Sequence, residues 1–243
     1  MRFILKYRFI WSAVIFLLIK HGLTQPPPAP ADLVNIAPFR KCYDDPVGSF
    51  YQFEAMDLHE QETIPLSRYK GKVLLVVNAK YGHDYLEILA FPCSQFRLQE
   101  PGANGTEIMN CVRWVRPGNN FNPGFQFFHK IQVNGENEHP LYTFLKSSCP
   151  PTRDGYRTPV TDLYYRPVRV SDVRWNFEKF LVDHRGKPIY RFDATTEPSD
   201  IEHFIVEAMG KARAATGPEL GHPIRHGDTA RYRSGRRRSR SYV

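Results

Sequence analysis

Cysteine is the residue type in this sequence that could supply a nucleophile, a metal ligand or a disulfide, and it occurs four times in 243 residues. Cys93 ends an apolar run that reads as a buried strand, and Cys111 lies on the apolar face of a predicted helix. Cysteines in such places usually act as small buried side chains. A role of Cys93 as a catalytic nucleophile is therefore the less favoured interpretation. Cys42 and Cys149 lie in predicted loops. Full pairing would allow three connectivities, and the loop positions favour Cys42 with Cys149.

Few other residues suggest a metal or a modification. Of the nine histidines only His222 and His226 show H-x-x-x-H spacing, and both lie in the Arg-rich stretch 217–243; the cysteines show no C-x-x-C spacing, so we expect no metal site. Asn104 begins the one N-glycosylation sequon of the sequence, Asn104-Gly105-Thr106. This sequon matters only if the chain enters the secretory pathway, where Asn104 becomes the candidate glycosylation site.

The positive charge of the chain is concentrated at its two ends. The net charge is +8, but residues 225–243 hold seven Arg and one Asp, and residues 1–20 hold four cations and no acidic residue. The body between these ends therefore carries a charge of about −2. This distribution does not predict a basic groove in the fold, and we expect no nucleic-acid partner.

The order of composition along the chain predicts its domains. Three basic residues precede an eleven-residue run, 9–19, that is apolar except for Ser12; this run is too short to span a bilayer and typical of a secretory signal peptide over residues 1–24. A Pro-rich spacer over 25–39, a folded domain over 40–216 and a disordered Arg/Ser-rich tail over 217–243 follow. The protein is therefore expected to be secreted, extracellular and without a stable membrane anchor, the short anchor being the alternative interpretation.

Two apolar runs, Val73–Val77 and Leu86–Phe91, predict neighbouring strands that are buried on both faces, as in a parallel sheet. Only residues 79–85 separate Asn78 from the second run, whereas a parallel crossover normally needs a dozen or more residues and usually a helix. We therefore expect the face of Val73–Val77 that such a helix would cover to be an exposed apolar surface.

The rest of the chain completes an α/β order. The patterns predict strands over 49–55 and 127–133, an edge piece at 64–66, helices over 106–114, 140–147 and 201–215, and a hairpin formed by 179–182 and 188–192. Irregular segments are expected at 116–124 and 149–168. This is the order of a thioredoxin-like fold that lacks its first crossover helix.

Two motifs in this order resemble those of the glutathione peroxidase family. Phe91–Phe96 followed by Gln99–Pro101 is similar to the family motif FPCNQFxxQEPG, and Trp175–Val182 is similar to its WNFxKFLV block. Val115–Phe125 resembles the extended loop of the tetrameric animal members. Ser148–Pro151 and the signal peptide resemble the secreted, plasma-type subgroup. The resemblance spans most of the predicted domain.

The resemblance implies a thioredoxin-like oxidoreductase that reduces hydrogen peroxide and organic hydroperoxides in the response to oxidative stress. Glutathione or another thiol would be the co-substrate, no cofactor would be resident, and a homotetramer would form through Val115–Phe125. In the family, a selenocysteine or cysteine after the first buried strand attacks the peroxide. Nearby N–H donors and a helix N-terminus lower its pKa. The matching donors are Gln99, Trp175 and Asn176.

The nucleophile itself has no counterpart. Val76–Ala79 resembles the end of the family's first strand and Lys80–Gly82 the end of its first helix, so about eighteen residues are missing between Ala79 and Lys80. No cysteine stands between Asn78 and Tyr85. Two readings stay open: a peroxidase homologue that has lost a segment, and a non-catalytic secreted pseudoenzyme with a binding or structural role. Under both, we expect little or no peroxidase activity from this chain.

Overall fold

The computed structural model describes residues 38–77, 86–115, 117–156 and 158–216. The predicted signal peptide, nearly all of the predicted spacer, the tail and residues 78–85 lie outside these ranges. The strands of the described residues are β1 (Phe39–Lys41), β2 (Glu54–Met56), β3 (Thr63–Pro65), β4 (Val73–Val77), β5 (Leu86–Ala90), β6 (Gln126–Phe127), β7 (Lys179–Val182) and β8 (Pro188–Phe192). The α-helices are α1 (Gly105–Asn110), α2 (Pro140–Ser148) and α3 (Pro198–Thr216).

Six of the strands form one mixed sheet in the order β1-β8-β7-β4-β5-β6. β4 pairs in parallel with β5, and β5 in parallel with β6, whereas β7 pairs antiparallel with both β4 and β8. The four inner strands therefore have the order β5-β4-β7-β8, with α2 before the β7–β8 hairpin and α3 after it. This is a thioredoxin-like α/β fold, as the sequence predicts. β2 and β3 form a separate two-stranded sheet.

The register of β4 and β5 determines what their connection has to span. Val73 lies opposite Leu86, and Val77 lies opposite Ala90, so the chain returns along the whole of β4. Five residues of strand rise about 13 Å and neighbouring strands lie about 4.8 Å apart. The eight residues between the two strands can extend to roughly 30 Å, so they can close the crossover without a helix.

The expectation of an exposed apolar face on Val73–Val77 is wrong. Each of these five residues is at most 6% exposed. The residues of one face share a core with α3, and Leu74 and Val76 share the opposite core with α2. The closing helix therefore covers β4 on the face that the sequence suggested would be bare.

The predicted strand over residues 49–55 is shorter than expected, because its first half is a 3-10 turn. The turn spans Phe50–Gln52 and the strand begins only at Glu54. Ser49 Oγ accepts a hydrogen bond from the Tyr51 N–H at 3.3 Å, and Gln52 Oε1 accepts one from the Ser49 N–H at 3.4 Å. This reciprocal cap satisfies backbone donors that a strand would have paired with a neighbouring chain.

The predicted strand over residues 127–133 is reduced to the two residues of β6. Beyond β6, the backbone N–H groups of Val133 and Asn134 donate to Oε1 of Gln95 at 2.9 and 3.1 Å. A buried side chain therefore takes the place of a neighbouring strand, which an alternating pattern cannot reveal.

The predicted helix over residues 106–114 changes form along its length. It is α-helical as α1 and continues as a π-helical turn over Cys111–Val115. The apolar face predicted from α-helical spacing does not persist, because the turn places Val115 at the surface and leaves Cys111 only half-buried. The expectation that Cys111 is buried is therefore wrong.

A disulfide joins Cys42 and Cys149, which are 107 positions apart in sequence and whose Cα atoms lie 4.1 Å apart. It connects the residue after β1 to the residue after α2. Beside it, the Tyr43 N–H donates to the Ser148 carbonyl at 2.8 Å. In the described ranges, no helix has the length and apolar character needed to cross a membrane.

Candidate functional site

The register of the sheet brings two of the predicted donors to the carboxyl end of β4. Val77, the last residue of β4, lies opposite Ala90 of β5 and Lys179 of β7. Gln99 follows Ala90 by a short loop, and Asn176 comes three residues before Lys179. Nδ2 of Asn176 donates to Oε1 of Gln99 at 2.8 Å. The carboxyl ends of parallel strands are the usual place for ligand sites in open α/β sheets.

The loop that carries Gln99 is held at its start by an ion pair and by backbone contacts. The Arg97 N–H donates to the carbonyl of Asp162 at 3.0 Å, and Nε of Arg97 donates to its carboxylate at 2.8 Å. Arg97 and Leu98 have φ values of 53° and 51°, in the left-handed region that bulky residues rarely adopt. Such backbone persists only where the surroundings enforce it, and it is common at functional sites.

The far side of the same loop is held by Lys130. Its Nζ donates to the carbonyl of Glu100 at 2.8 Å and also to the carbonyl of Gly102. The carboxylate of Glu100 accepts the Gly102 N–H at 3.2 Å, and burial raises the pKa of Glu100. Gln99 therefore projects from a loop with few alternative conformations.

Trp175 packs against the loop that carries Gln99. Its ring is half-buried against the main core and lies 5.5 Å from the ring of Phe96. Trp175 therefore packs against the loop that presents Gln99, while the adjacent Asn176 bonds to Gln99 itself. The next residue, Phe177, has a φ of 70° and an exposed side chain. The three predicted donors thus lie on two segments in contact, the loop that carries Gln99 and the segment that carries Trp175 and Asn176.

A buried ion pair supports the segment that carries Trp175 and Asn176. Arg191 of β8 and Glu178 lie 2.7 Å apart with side chains only 0% and 1% exposed. Arg191 also donates to the carbonyls of Ser171 and Asp172 at 3.1 and 2.8 Å. The other oxygen of Glu178 accepts the Arg174 N–H at 2.6 Å. The pair therefore fixes both ends of the segment.

A second buried ion pair supports the segment between β8 and α3. Asp193 accepts two hydrogen bonds from Arg153, both at 2.6 Å. Burial alone would raise the pKa of Asp193, but the hydrogen bonds from Arg153 and Thr195 outweigh it and lower the pKa to about 2. Lys179 donates to the Thr196 carbonyl at 2.6 Å, and burial lowers its pKa. Neither buried pair was predicted from the sequence, although charged residues in or beside apolar strands were a visible signal.

Cys93 does not have the surroundings of a nucleophile. It is 2% exposed, and burial raises its pKa to about 11, against the smaller opposing effects of backbone hydrogen bonds and of Lys130. Its Sγ lies 3.5 Å from Oε1 of Gln95, which is itself buried. A nucleophilic cysteine needs to be a thiolate with access to substrate, and Cys93 meets neither condition.

Comparison with known proteins identifies the family. A family model described as glutathione peroxidase matches residues 78–146. Glutathione peroxidase 3 of Rattus norvegicus is 42% identical over 194 residues, which cover 72% of this chain and 84% of the relative. This chain belongs to the glutathione peroxidase family. Glutathione peroxidase 3 of Bos taurus is 41% identical over 186 residues, covering 69% and 81%. These similarities agree with a plasma-type glutathione peroxidase.

A third relative is named as a secretory protein. The epididymal secretory glutathione peroxidase of Rattus norvegicus is 42% identical over 191 residues, covering 68% of this chain and 83% of the relative. Among solved structures, Trgpx in its apo form matches with a TM-score of 0.45 and 30% identity, over 68% of this chain and 97% of that one. The family assignment rests on the sequence relatives.

The alignment lengths agree with a missing segment in this family member. The alignment with the Rattus norvegicus relative is 194 positions long but contains 72% of the 243 residues of this chain, about 175. About 19 aligned positions therefore have no residue here. This number is close to the length that the motifs predict to be missing between Ala79 and Lys80.

Proposed function

We propose that this chain is a secreted glutathione peroxidase homologue that has kept the hydrogen-bond donors of the family but not its nucleophile, and that it does not turn over hydroperoxides. One observation carries the proposal: no cysteine stands between Asn78 and Tyr85, where the family places its selenocysteine or cysteine. Donors can stabilise a reacting sulfur or selenium, but they cannot break the O–O bond in its place.

The four cysteines of the chain are poor substitutes for the missing residue. Cys93 is buried with a raised pKa, and Cys42 and Cys149 are held in a disulfide. Cys111 lies inside the helical segment formed by α1 and the π-helical turn that follows it, and not at a helix N-terminus that would stabilise a thiolate. Catalysis by a resident thiol is therefore not expected.

The hydrogen bond between Asn176 and Gln99, here called the donor pair, limits which hydrogen-bonding groups the site can offer to a hydroperoxide or a thiol such as glutathione. Because Oε1 of Gln99 accepts from Asn176, the amide NH₂ of Gln99 is the group with which this side chain can donate. Hydroperoxide and thiol are the proposed substrates of the site in a chain to which the missing loop, helix and nucleophile have been restored. No resident cofactor is part of the proposal.

Secretion and assembly are further parts of the proposal. The charged and apolar head of the sequence and the secretory relative support export. Asn104 is exposed, and its Oδ1 caps α1 by accepting the Glu107 N–H at 3.0 Å. A glycan on Nδ2 leaves that cap intact. Trp114 and Val115 are 61% and 71% exposed where the proposed tetramer loop, Val115–Phe125, begins.

Restoring the nucleophile tests the proposal. Three proteins are compared: the chain itself, the chain with the missing loop and helix carrying a Cys inserted between Ala79 and Lys80, and the same insertion carrying Ser. Hydroperoxide reduction is measured with glutathione and with thioredoxin as reductants. Turnover by the Cys insertion alone is the expected result. Comparable turnover by the unmodified chain, lost in Cys93→Ser, contradicts the proposal and makes Cys93 the nucleophile.

The second candidate function is that of a non-catalytic secreted pseudoenzyme with a binding or structural role. It is favoured by the retention of the Gln99–Asn176 pair and of the buried Arg191–Glu178 pair in a chain without a nucleophile. A folded Cys insertion that reduces no hydroperoxide with either thiol supports this second function, because the remaining site then no longer supports the chemistry.

A further inference from the structure

A cavity of about 180 Å³ lies at the opposite end of the sheet from the Gln99–Asn176 pair. It is enclosed by the residues after β1, the β7–β8 turn, β8 and α3. The β7–β8 turn follows Val182, which lies opposite Leu74 near the amino end of β4, whereas the donor pair adjoins Val77 at the carboxyl end. Three residues of strand separate these positions by about 10 Å, so the cavity is distinct from the candidate site.

The inner wall of the cavity is apolar and partly aromatic. Pro188, Tyr190, Phe204 and Ala208 contribute to it. The rings of Tyr190 and Phe204 have centroids 4.6 Å apart, and Phe39 lies behind them, 4.7 Å from Phe204. Such a wall suits an aromatic ring or a short apolar chain, because these groups gain contact area without losing hydrogen bonds.

The rim of the cavity carries one more cation than carboxylates. Its ion pairs are Lys41 with Asp44 at 3.0 Å, Arg185 with Asp183 at 2.9 Å and Lys211 with Glu207 at 2.6 Å. Lys187 is the fourth cation, and it donates to the backbone carbonyl of Asp44. Among the described residues it forms no ion pair with a carboxylate within 4.0 Å.

One ring nitrogen of a lining residue has no partner. Nδ1 of His184 is buried and makes no hydrogen bond, and the ring belongs to a residue that lines the cavity. Buried polar atoms are nearly always paired in folded proteins, so this nitrogen is an unusual feature of a lining residue.

We infer that this cavity binds a small amphipathic monoanion, a carboxylate carried on a single aromatic ring or a short apolar chain. The ring packs on Tyr190 and Phe204, and the carboxylate pairs with Lys187. A dry cavity of about 150 Å³ is enough for benzene, so the volume here fits one ring with a small substituent. The site is independent of the peroxidase fold's donor pair and of the proposed function.

Phenylacetate is the probe for this site, with phenylacetamide as its neutral analogue and acetate as the charge without the ring. Binding to the whole chain is followed by amide chemical-shift titration. Phenylacetate should give saturable shifts confined to β8, the β7–β8 turn and the adjoining turns of α3. Phenylacetamide should bind about tenfold more weakly, because it lacks the charge-assisted hydrogen bond to Lys187. Acetate should give no saturable shift.

Two lysine variants separate the site from general electrostatic attraction. Lys187→Met should make the affinities for phenylacetate and phenylacetamide equal. Lys70→Met removes an equally charged, exposed side chain outside the cavity and should preserve the tenfold difference. Ala208→Leu, which fills the apolar wall, should abolish binding of both ring compounds. The inference is overturned by equal binding of the two ring compounds to the unaltered chain, by equal losses in the two lysine variants, or by no saturable shift.

Discussion

The two ends of β4 are held by the same types of contact in different surroundings. At the carboxyl end, ion pairs such as Arg191–Glu178 are buried and bond to the backbone of the segments that carry Trp175 and Asn176. At the amino end, the cations of the pairs around the cavity are exposed, although Asp183 is buried, and both partners of Lys41–Asp44 are more than two-thirds exposed. Buried pairs are costly to break, whereas exposed pairs contribute little. The carboxyl end is therefore the more rigid of the two.

This contrast explains how the Gln99–Asn176 pair can persist in a chain that is proposed to lack its nucleophile. Gln99 and Asn176 are positioned by Arg97, Lys130 and the buried ion pairs, and all of these are fixed by described residues outside 78–85. The support of the site is thus separate from the segment that the motifs predict to be missing. Loss of the nucleophile would therefore leave the contacts that position Gln99 and Asn176 in place.

The largest effect is expected from breaking the buried pair. Arg191→Met should destabilise the chain by about 3–5 kcal/mol, because Glu178 is then left buried without a counter-charge. Urea unfolding measures the change. Arg185→Met is the matched control, since it removes the same group from the same hairpin at an exposed position, and it should have a much smaller effect. Similar losses in the two variants would contradict the contrast between the two ends.

A smaller loss is expected from opening the disulfide. Cys149→Ser should lower the free energy of unfolding by about 2–4 kcal/mol, because the Cys42–Cys149 bond closes a long loop in the unfolded chain. Thermal unfolding with and without a reductant measures this effect. Cys111→Ser, at a half-buried free cysteine, is the control and should remain sensitive to the reductant. A reductant that leaves the unaltered chain equally stable argues against the bond.

A third effect depends on pH and concerns the start of α2. Nδ1 of His139 accepts the Leu141 N–H at 3.2 Å, and burial lowers the pKa of His139 below its ordinary value of 6.5. The cap therefore needs the neutral ring. Its contribution, about 1 kcal/mol, is present above pH 6.5 and is lost as the pH falls from there through the lowered pKa of the folded state.

His139→Asn tests this pH dependence. Asparagine caps a helix without titrating near neutral pH, so the variant should keep its stability at pH 7.5 and lose the part of the acid-induced decrease that His139 causes. The adjacent Glu138 bonds to Lys146 and to Thr143, and these contacts are unchanged in the variant. Identical decreases in the two proteins between pH 7 and 5 would assign the effect to other groups.

The sequence predicted what depends on local pattern and on motifs. The apolar runs indicated β4 and β5 and their parallel pairing, and the turn residues indicated the β7–β8 hairpin. The contact between Gln99 and Asn176 joins residues 77 apart and needs the complete sheet. Burial of β4 by α3 and replacement of a strand partner by Gln95 are tertiary effects that no local period encodes. The same holds for Arg191–Glu178, whose members lie on different segments of the chain.

The smallest effect is expected from an exposed pair at the amino end of β4. Lys41→Gln removes the bond to Asp44, but both side chains are solvated, and Lys187 still holds the backbone of Asp44. The urea midpoint should therefore change little, and any change should disappear in 1 M salt, where charges are screened within about 3 Å. The Arg191→Met loss should persist in the same salt, because water and ions do not reach that pair. A salt-independent loss in Lys41→Gln as large as that of Arg191→Met would show that burial does not decide the strength of these pairs.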